Sequence, residues 1–360
     1  MAERARVAVL GASGFAGAEL LRRLLHHPAV EVVRVVADDH LGQPIAAAHP
    51  HLEGLSSLRF EPFDAERAVD ADFVLMGLPP EASFEVVRSA HGKGVRIIDM
   101  SGAFRLKDPA LFERFYGRPH PLPELLSDFV YGLPELNRSA LRGARYVSSP
   151  GCFATTITLG LLPLARAGLL TGDVHTVAIT GSSGAGKEPS ATTHHPTRAG
   201  NVRTYKPHAH PHAPEVATTL TAAGAQDLRL EFVPVSGPFV RGIFATSFVP
   251  LAAPETSQPG GTSESSESSE SSESGVQQAF AACFAGEALV RRPEGRLPEV
   301  IAVAGSCYAE VGYVLRPGGV TVFSALDNLI KGGAGQAVQN LNIMLGIPET
   351  TALVDPGPYP

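Results

Sequence analysis

Near its start the chain runs Arg6-Val7-Ala8-Val9-Leu10-Gly11-Ala12-Ser13-Gly14-Phe15-Ala16-Gly17. Its first five residues form a short β-rich apolar run, as a fully buried parallel strand does. Three glycines spaced G-x-x-G-x-x-G follow. Leu20, Leu21, Leu24 and Leu25 then recur at helical spacing, with Pro28 just past the end. Glycines at a strand-to-helix junction allow a tight turn and close backbone approach. The helix start offers unpaired N–H groups and a positive dipole end to a phosphate. A dinucleotide site is the expectation; a turn kept only for close packing is the plainer alternative.

Outward from that turn, residues 30–36 read as a second strand. Residues 72–78 and 95–100 read as further strands, with a helical stretch over 81–91 between them. Repeated β-α units imply an α/β fold, a Rossmann-type doubly wound parallel sheet with right-handed crossovers. After Gly151 the pattern changes. A helix is expected over 155–167, and a strand over 176–180 running into Gly181-Ser182-Ser183-Gly184-Ala185-Gly186. A polar, His-rich and Pro-rich segment follows to about Pro214. Residues 231–235, 241–249 and 320–325 are β-rich, which suggests an α+β domain with a mainly antiparallel sheet. The last helix, 334–345, follows Asp327-Asn328-Leu329-Ile330-Lys331-Gly332. The expected division is a first domain over 1–151, completed by 327–360, and a second over 152–326. Residues 263–274 repeat Ser-Ser-Glu without an apolar residue, so a flexible surface loop is expected over about 255–275.

Composition narrows the function classes. The 360 residues are 44% hydrophobic and 18% charged, with 29 Lys and Arg against 36 Asp and Glu, a net charge of −7. That balance argues against a nucleic-acid binder that relies on a basic face. No apolar run approaches the roughly 18 residues of a membrane span, and the first residues enter a strand pattern without a signal-peptide core. Cys152, Cys283 and Cys307 are too few and too scattered for a disulfide framework or a zinc site, so a reducing, cytoplasmic setting is expected.

Cys152 is the sharpest chemical feature. It follows Ser148-Ser149-Pro150-Gly151 and opens a helix, where the positive dipole end favours thiolate. A nucleophile is the expectation there, whereas Cys283 and Cys307 read as inert core residues. Of 13 histidines, His194, His195, His208, His210 and His212 cluster downstream. Alternation along an extended Pro-rich segment does not fix a tetrahedral metal site, so no metal is expected; one histidine acting as acid/base beside Cys152 is. The loop from Gly181 to Lys187 suits an anion but is not a P-loop, because Glu188 follows the lysine. Asp38 and Asp39, about twenty residues past the turn, either accept from a ribose 2′-hydroxyl, which favours NAD, or face water.

Taken together, the glycine turn, Ser149-Pro150-Gly151-Cys152, the loop from Gly181 to Gly186, His210-Pro211-His212-Ala213-Pro214-Glu215 and the stretch from Asp327 to Gly332 resemble the N-acetyl-γ-glutamyl-phosphate reductase family. The resemblance spans nearly the whole chain in the right order. It implies a Rossmann domain plus an α+β catalytic and dimerisation domain, like aspartate-semialdehyde dehydrogenase. It also implies an enzyme that reduces a small acyl phosphate with NADP, NAD being kept open by Asp38 and Asp39, and that forms homodimers or homotetramers. Carried over, Cys152 is the nucleophile and His212 the acid/base. Gly11, Ser13, Gly14, Phe15, Gly17, Ser182, Gly184 and Asn328 hold the cofactor. Arg105, Ser183, His210 and Glu215 shape the substrate site, with Arg105 as a phosphate anchor. The family's His-Arg-His is His210-Pro211-His212 here, a missing charge for which Arg198, Arg203 or Lys206 compensates. Residues 194–206 also resemble the sister enzymes of lysine biosynthesis, which act on an aminoadipyl phosphate carried by a small acidic protein.

Overall fold

The computed structural model describes residues 3–251 and 265–359, with 265–272 by backbone alone. Its first sheet contains β1 (Ala5–Leu10), β2 (Val30–Val36), β3 (Phe73–Met76), β4 (Arg96–Asp99), β5 (Phe129–Tyr131) and β6 (Tyr146–Ser148). The order is β2-β1-β3-β4-β6-β5, and every pairing is parallel. Strand order reverses between β1 and β3, which makes the crevice at their carboxyl ends the natural ligand position. Successive residues of β1 serve opposite faces: Val7 and Val9 join one buried cluster, Ala8 and Leu10 another. A continuous apolar strand is what a sheet covered on both faces requires.

The second sheet contains β7 (Thr171–Thr180), β8 (Arg203–Thr204), β9 (Gln226–Ser236), β10 (Ile243–Pro250), β11 (Val290–Arg291), β12 (Ala309–Arg316) and β13 (Gly319–Leu326). Its order is β11-β12-β13-β10-β7-β9-β8. Pairings are antiparallel except β7 with β9 and β11 with β12, so the sheet is mixed. One face packs under the helix Cys152–Arg166 and the helices His212–Ala222 and Ser265–Cys283. The part of the Ser/Glu stretch over 265–275 is therefore helical rather than a loop, whereas 252–264 lie outside the described residues.

The last helix, Gly335–Leu345, returns to the first sheet and packs on the helices Phe15–Leu24 and Pro134–Gly143. Arg241, just before β10, reaches across to Glu19 on the first helix and to Asp327 at 3.2 Å. Both carboxylates are buried, so this arginine ties the two sheets together beside the crevice.

Candidate functional site

Gly11 ends β1 with φ of 73°. A Cβ there would lie 2.9 Å from the carbonyl carbon of Gly77, past the end of β3, and closer still to its oxygen. One at Gly17 would lie 2.5 Å from the oxygen of Ala12. These two positions close the turn, while Gly14 caps the helix Phe15–Leu24 with no side chain over its N–H groups. A cavity of about 370 Å³ runs from Gly11, Gly14 and Phe15 past Gly184 and Asn328 to Cys152 and His212. Bare backbone at a dipole end and a cleft leading to a thiol fit a dinucleotide with its reactive ring at Cys152.

Asp38 and Asp39 differ in use. Asp38 accepts from the N–H of Phe63 at 3.1 Å. Asp39 accepts from Ser13 Oγ at 2.5 Å and pairs with Lys187, which also donates to Ser13 Oγ at 3.1 Å. The hydrogen bonds from Lys187 and Ser13 hold the Asp39 carboxyl down at about 2. Lys187 thus crosses from the second domain's glycine loop to the nucleotide turn. Ser182, Ser183, Phe15 and Lys187 line a further cavity of about 480 Å³ that continues the cleft.

Cys152 opens a helix whose N-cap, Gly151, has extended backbone and no side-chain cap. The expectation of a resting thiolate is not met: burial pushes the Cys152 thiol up to about 11, against the pull of Arg105 and the N–H of Phe153. Desolvation here outweighs the helix dipole. The glycine-rich turn Ile330–Ala334 backs the sulfur-bearing residue, since a Cβ on Gly332 would lie 2.9 Å from Cys152 Cβ.

His212 begins the helix His212–Ala222, and its ring lies flat against the backbone of Gly151. Burial lowers its pKa well below the usual histidine range, with the charges of His210 and Arg105 acting in the same direction. The imidazole is therefore neutral at pH 7. Its Nε2 lies 3.3 Å from Arg105 Nη1, and its Nδ1 is buried with no partner. His210 accepts from the N–H of His212 through Nδ1 at 3.1 Å, and burial pushes its pKa down to about 4.

Arg105 is not placed as a free phosphate anchor. Its Nε donates to the oxygen of Ser149 at 2.8 Å and its Nη2 to that of Met100 at 2.5 Å, while Nη1 lies 3.7 Å from Glu215. It braces the cysteine loop and His212 together. Glu215 accepts from the N–H of Gly151 and from Tyr131 Oη, both at 2.8 Å, so it too is a positioning group. Burial raises its carboxyl above the usual range despite Arg105 and these two donors. Ser183, expected on the substrate side, donates to the oxygen of Val240 at 2.7 Å and accepts from Asn328 Nδ2 at 3.0 Å. Asn328 in turn accepts from the N–H of Gly242 at 2.7 Å. This pair forms a wall of the cofactor cleft.

On the far side of Cys152 lies a cavity of about 470 Å³ lined by His210, His212, Tyr205, Arg198, Arg203 and Lys206, among others. Cys152, Gly184 and His212 line this cavity and the glycine-turn cavity alike. Among the described residues no cluster of three His, Cys, Asp or Glu is placed to hold a metal ion. Nor is any described helix long and apolar enough to cross a membrane. Sequence reasoning missed Tyr131, which lacks a motif, and Lys187, which it weighed only against the P-loop pattern.

Residues 6–144 match the model of the semialdehyde dehydrogenase NAD-binding domain, and 152–328 that of the semialdehyde dehydrogenase dimerisation domain. The chain is 39% identical to an N-acetyl-γ-glutamyl-phosphate reductase of Desulforudis audaxviator, over 99% of both chains. It is 42% identical to a putative LysW-L-2-aminoadipate 6-phosphate reductase of Thermomicrobium roseum, over 98% of this chain and 99% of that one. Among solved structures, aspartate semialdehyde dehydrogenase II of Vibrio cholerae shares the fold with a TM-score of 0.69 at 16% identity, covering 96% of this chain and 99% of the other. With a nucleotide cleft and a cation-lined cavity meeting at one cysteine, and with these relatives matching end to end, the chain belongs to the semialdehyde dehydrogenase family, among its acyl-phosphate reductases of amino-acid biosynthesis.

Proposed function

We propose that the chain reduces N-acetyl-γ-glutamyl phosphate to N-acetylglutamate semialdehyde with NADPH, through a thioester on Cys152. The observation that carries this reading is the shared wall: Cys152 and His212 border both the nucleotide cleft and the cation-lined cavity. Neutral His212 takes the proton of the Cys152 thiol as sulfur attacks the acyl carbon. An S–C bond forms, the C–O bond to phosphate breaks, and phosphate leaves with the electron pair and takes a proton from water. The uncapped start of the helix Cys152–Arg166 aims backbone N–H groups at the oxygen that gains charge. A reduced nicotinamide nucleotide held by Gly11, Gly14, Gly184 and Asn328 would supply the hydride that the thioester carbon needs. Collapse then breaks the S–C bond, releases the aldehyde and returns a proton to sulfur from His212. Arg105 and Glu215 hold the cysteine loop and the imidazole in register throughout.

NADP fits because Lys187 offsets the Asp39 carboxylate that would otherwise repel a 2′-phosphate. A homodimer is the proposed assembly. The open face of the second sheet carries Val177, Phe248 and Val314, each at least 40% exposed, beside Phe244 and Phe323. An apolar sheet face of that extent calls for a partner, and sedimentation should read twice the chain mass. The three free cysteines suit a cytoplasmic setting.

A second reading, reduction of an aminoadipyl or glutamyl phosphate tethered to an acidic carrier protein, is favoured by the exposed Arg203 and Lys206 at the cation-lined cavity and His194 and His195 at the cavity that continues the cleft. The deciding assay offers N-acetylglutamyl phosphate, free of any carrier, with NADPH or NADH to the wild-type chain and to Cys152→Ala. Turnover by the wild type alone supports the first reading. An active Cys152→Ala variant would overturn covalent catalysis, and a wild type inert without carrier would overturn the free-substrate reading.

A further inference from the structure

We infer that Arg198 anchors a carboxylate on the amino-acid portion of the substrate and keeps hold of it while phosphate departs. The inference rests on the acyl-phosphate reading above and names a group that reading leaves without a partner. The cavity beyond Cys152 takes its charge from Arg198, Arg203 and Lys206, and no Asp or Glu lines it. None of the three has an ion pair within 4.0 Å among the described residues. Burial lowers the Arg198 guanidinium from its usual range, with the charge of Arg203 acting the same way and Tyr205 against it. A cavity whose charged lining is cationic favours an anion.

Arg198 differs from the other two in how it is held. Its Nη2 donates to the oxygen of Thr180, at the end of β7, at 3.2 Å. Its Nε is shut away from solvent with no hydrogen-bond partner. That leaves Nη1, which has no partner among the described residues, as the nitrogen a ligand in the cavity reaches, and a guanidinium N–H is a strong donor to a carboxylate oxygen. Arg203 and Lys206, by contrast, are exposed.

Exposure assigns the anions. A substrate of this class carries a phosphate dianion at the reacting end and a carboxylate at the other, three negative charges to match three cations. Phosphate must leave, so it belongs with the cations that water reaches. The carboxylate persists through acyl phosphate, thioester and aldehyde alike, so it belongs with the half-buried arginine. Arg198 thereby selects amino-dicarboxylic monophosphates over acyl phosphates with no second acid, such as acetyl phosphate.

The test runs the reaction in reverse, from N-acetylglutamate semialdehyde, inorganic phosphate and oxidised nucleotide, in the wild type, Arg198→Gln and Arg198→Lys. Arg198→Gln should raise the KM for the aldehyde tenfold or more and that for phosphate less than twofold, and Arg198→Lys should recover part of the loss. Calorimetry should show the affinity for N-acetylglutamate falling by a similar factor, with nucleotide affinity unchanged. A rise in the phosphate KM alone would assign Arg198 to the leaving group and overturn the inference. Equal rises in both KM values, or unchanged binding of N-acetylglutamate, would overturn it as well. A wild type inert with free aldehyde would count against the free-substrate reading, while the calorimetric comparison would still decide the role of Arg198.

Discussion

Gly151→Ala should disable the enzyme without unfolding it. The backbone at residue 151 has φ of −68° and ψ of 151°, a conformation any L-residue adopts, so the added methyl strains nothing in the chain itself. Its cost falls on His212. The new Cβ would lie 2.5 Å from Cδ2 of that imidazole and nearer still to Nε2. To restore ordinary contact at 3.4 Å the ring must retreat by more than about 1 Å, because Nε2 is the atom that sets the clash. A displacement of about 1 Å at a reacting group costs on the order of 100-fold, or about 2.7 kcal/mol of barrier. The N–H of residue 151 would still donate to Glu215, so the loop keeps its main tether. The assay is steady-state reduction of the acyl phosphate, followed by loss of nicotinamide absorbance, with nucleotide affinity and melting temperature as controls. A variant that keeps more than a third of the wild-type kcat with both controls unchanged would show that His212 needs no exact seat against Gly151, and the proposed proton transfer would fail with it.

Other outcomes follow from the electrostatics. With burial pushing the Cys152 thiol up to about 11, its alkylation by iodoacetamide in the nucleotide-free protein should rise about tenfold per pH unit from pH 7 toward that value; a plateau by pH 8, read by peptide mapping, would contradict the dominance of burial. Because His212 is held below its usual range, the acid limb of kcat/KM should fall below pH 6.5, and a limb at or above it would refute a neutral imidazole. Lys187→Met should weaken NADPH at least tenfold while leaving NADH within about twofold, since it strips the counter-charge from Asp39; equal loss of both nucleotides would place Lys187 on the shared pyrophosphate instead.

The parts of this molecule legible in the sequence are those written in local pattern. The run from Arg6 to Gly17 gives strand, turn and helix because burial on both faces, a missing Cβ and a leucine stripe leave marks within a dozen residues. Cys152 and His212 were visible as residues, yet their ionisation was not. The helix position argued for thiolate, whereas burial in the folded site decided otherwise, and burial is long-range information. The same holds for Arg105: its type suggested phosphate, but the carbonyls of Ser149 and Met100 that engage it come together only in the folded chain. The helix His212–Ala222 was hidden because Pro211 and Pro214 sit at its start, where proline is tolerated but reads as a breaker.

The glycine at position 332 packs directly behind Cys152, although every strand of the second sheet lies between the two along the chain. During translation the nucleophile therefore leaves the ribosome long before its back wall exists. A nascent chain halted ahead of Ile330 would hold a dinucleotide turn and a cysteine with no firm seat, its sulfur not yet quieted by burial. Closing that contact joins distant parts of the chain, so acquisition of activity should be among the last events of folding.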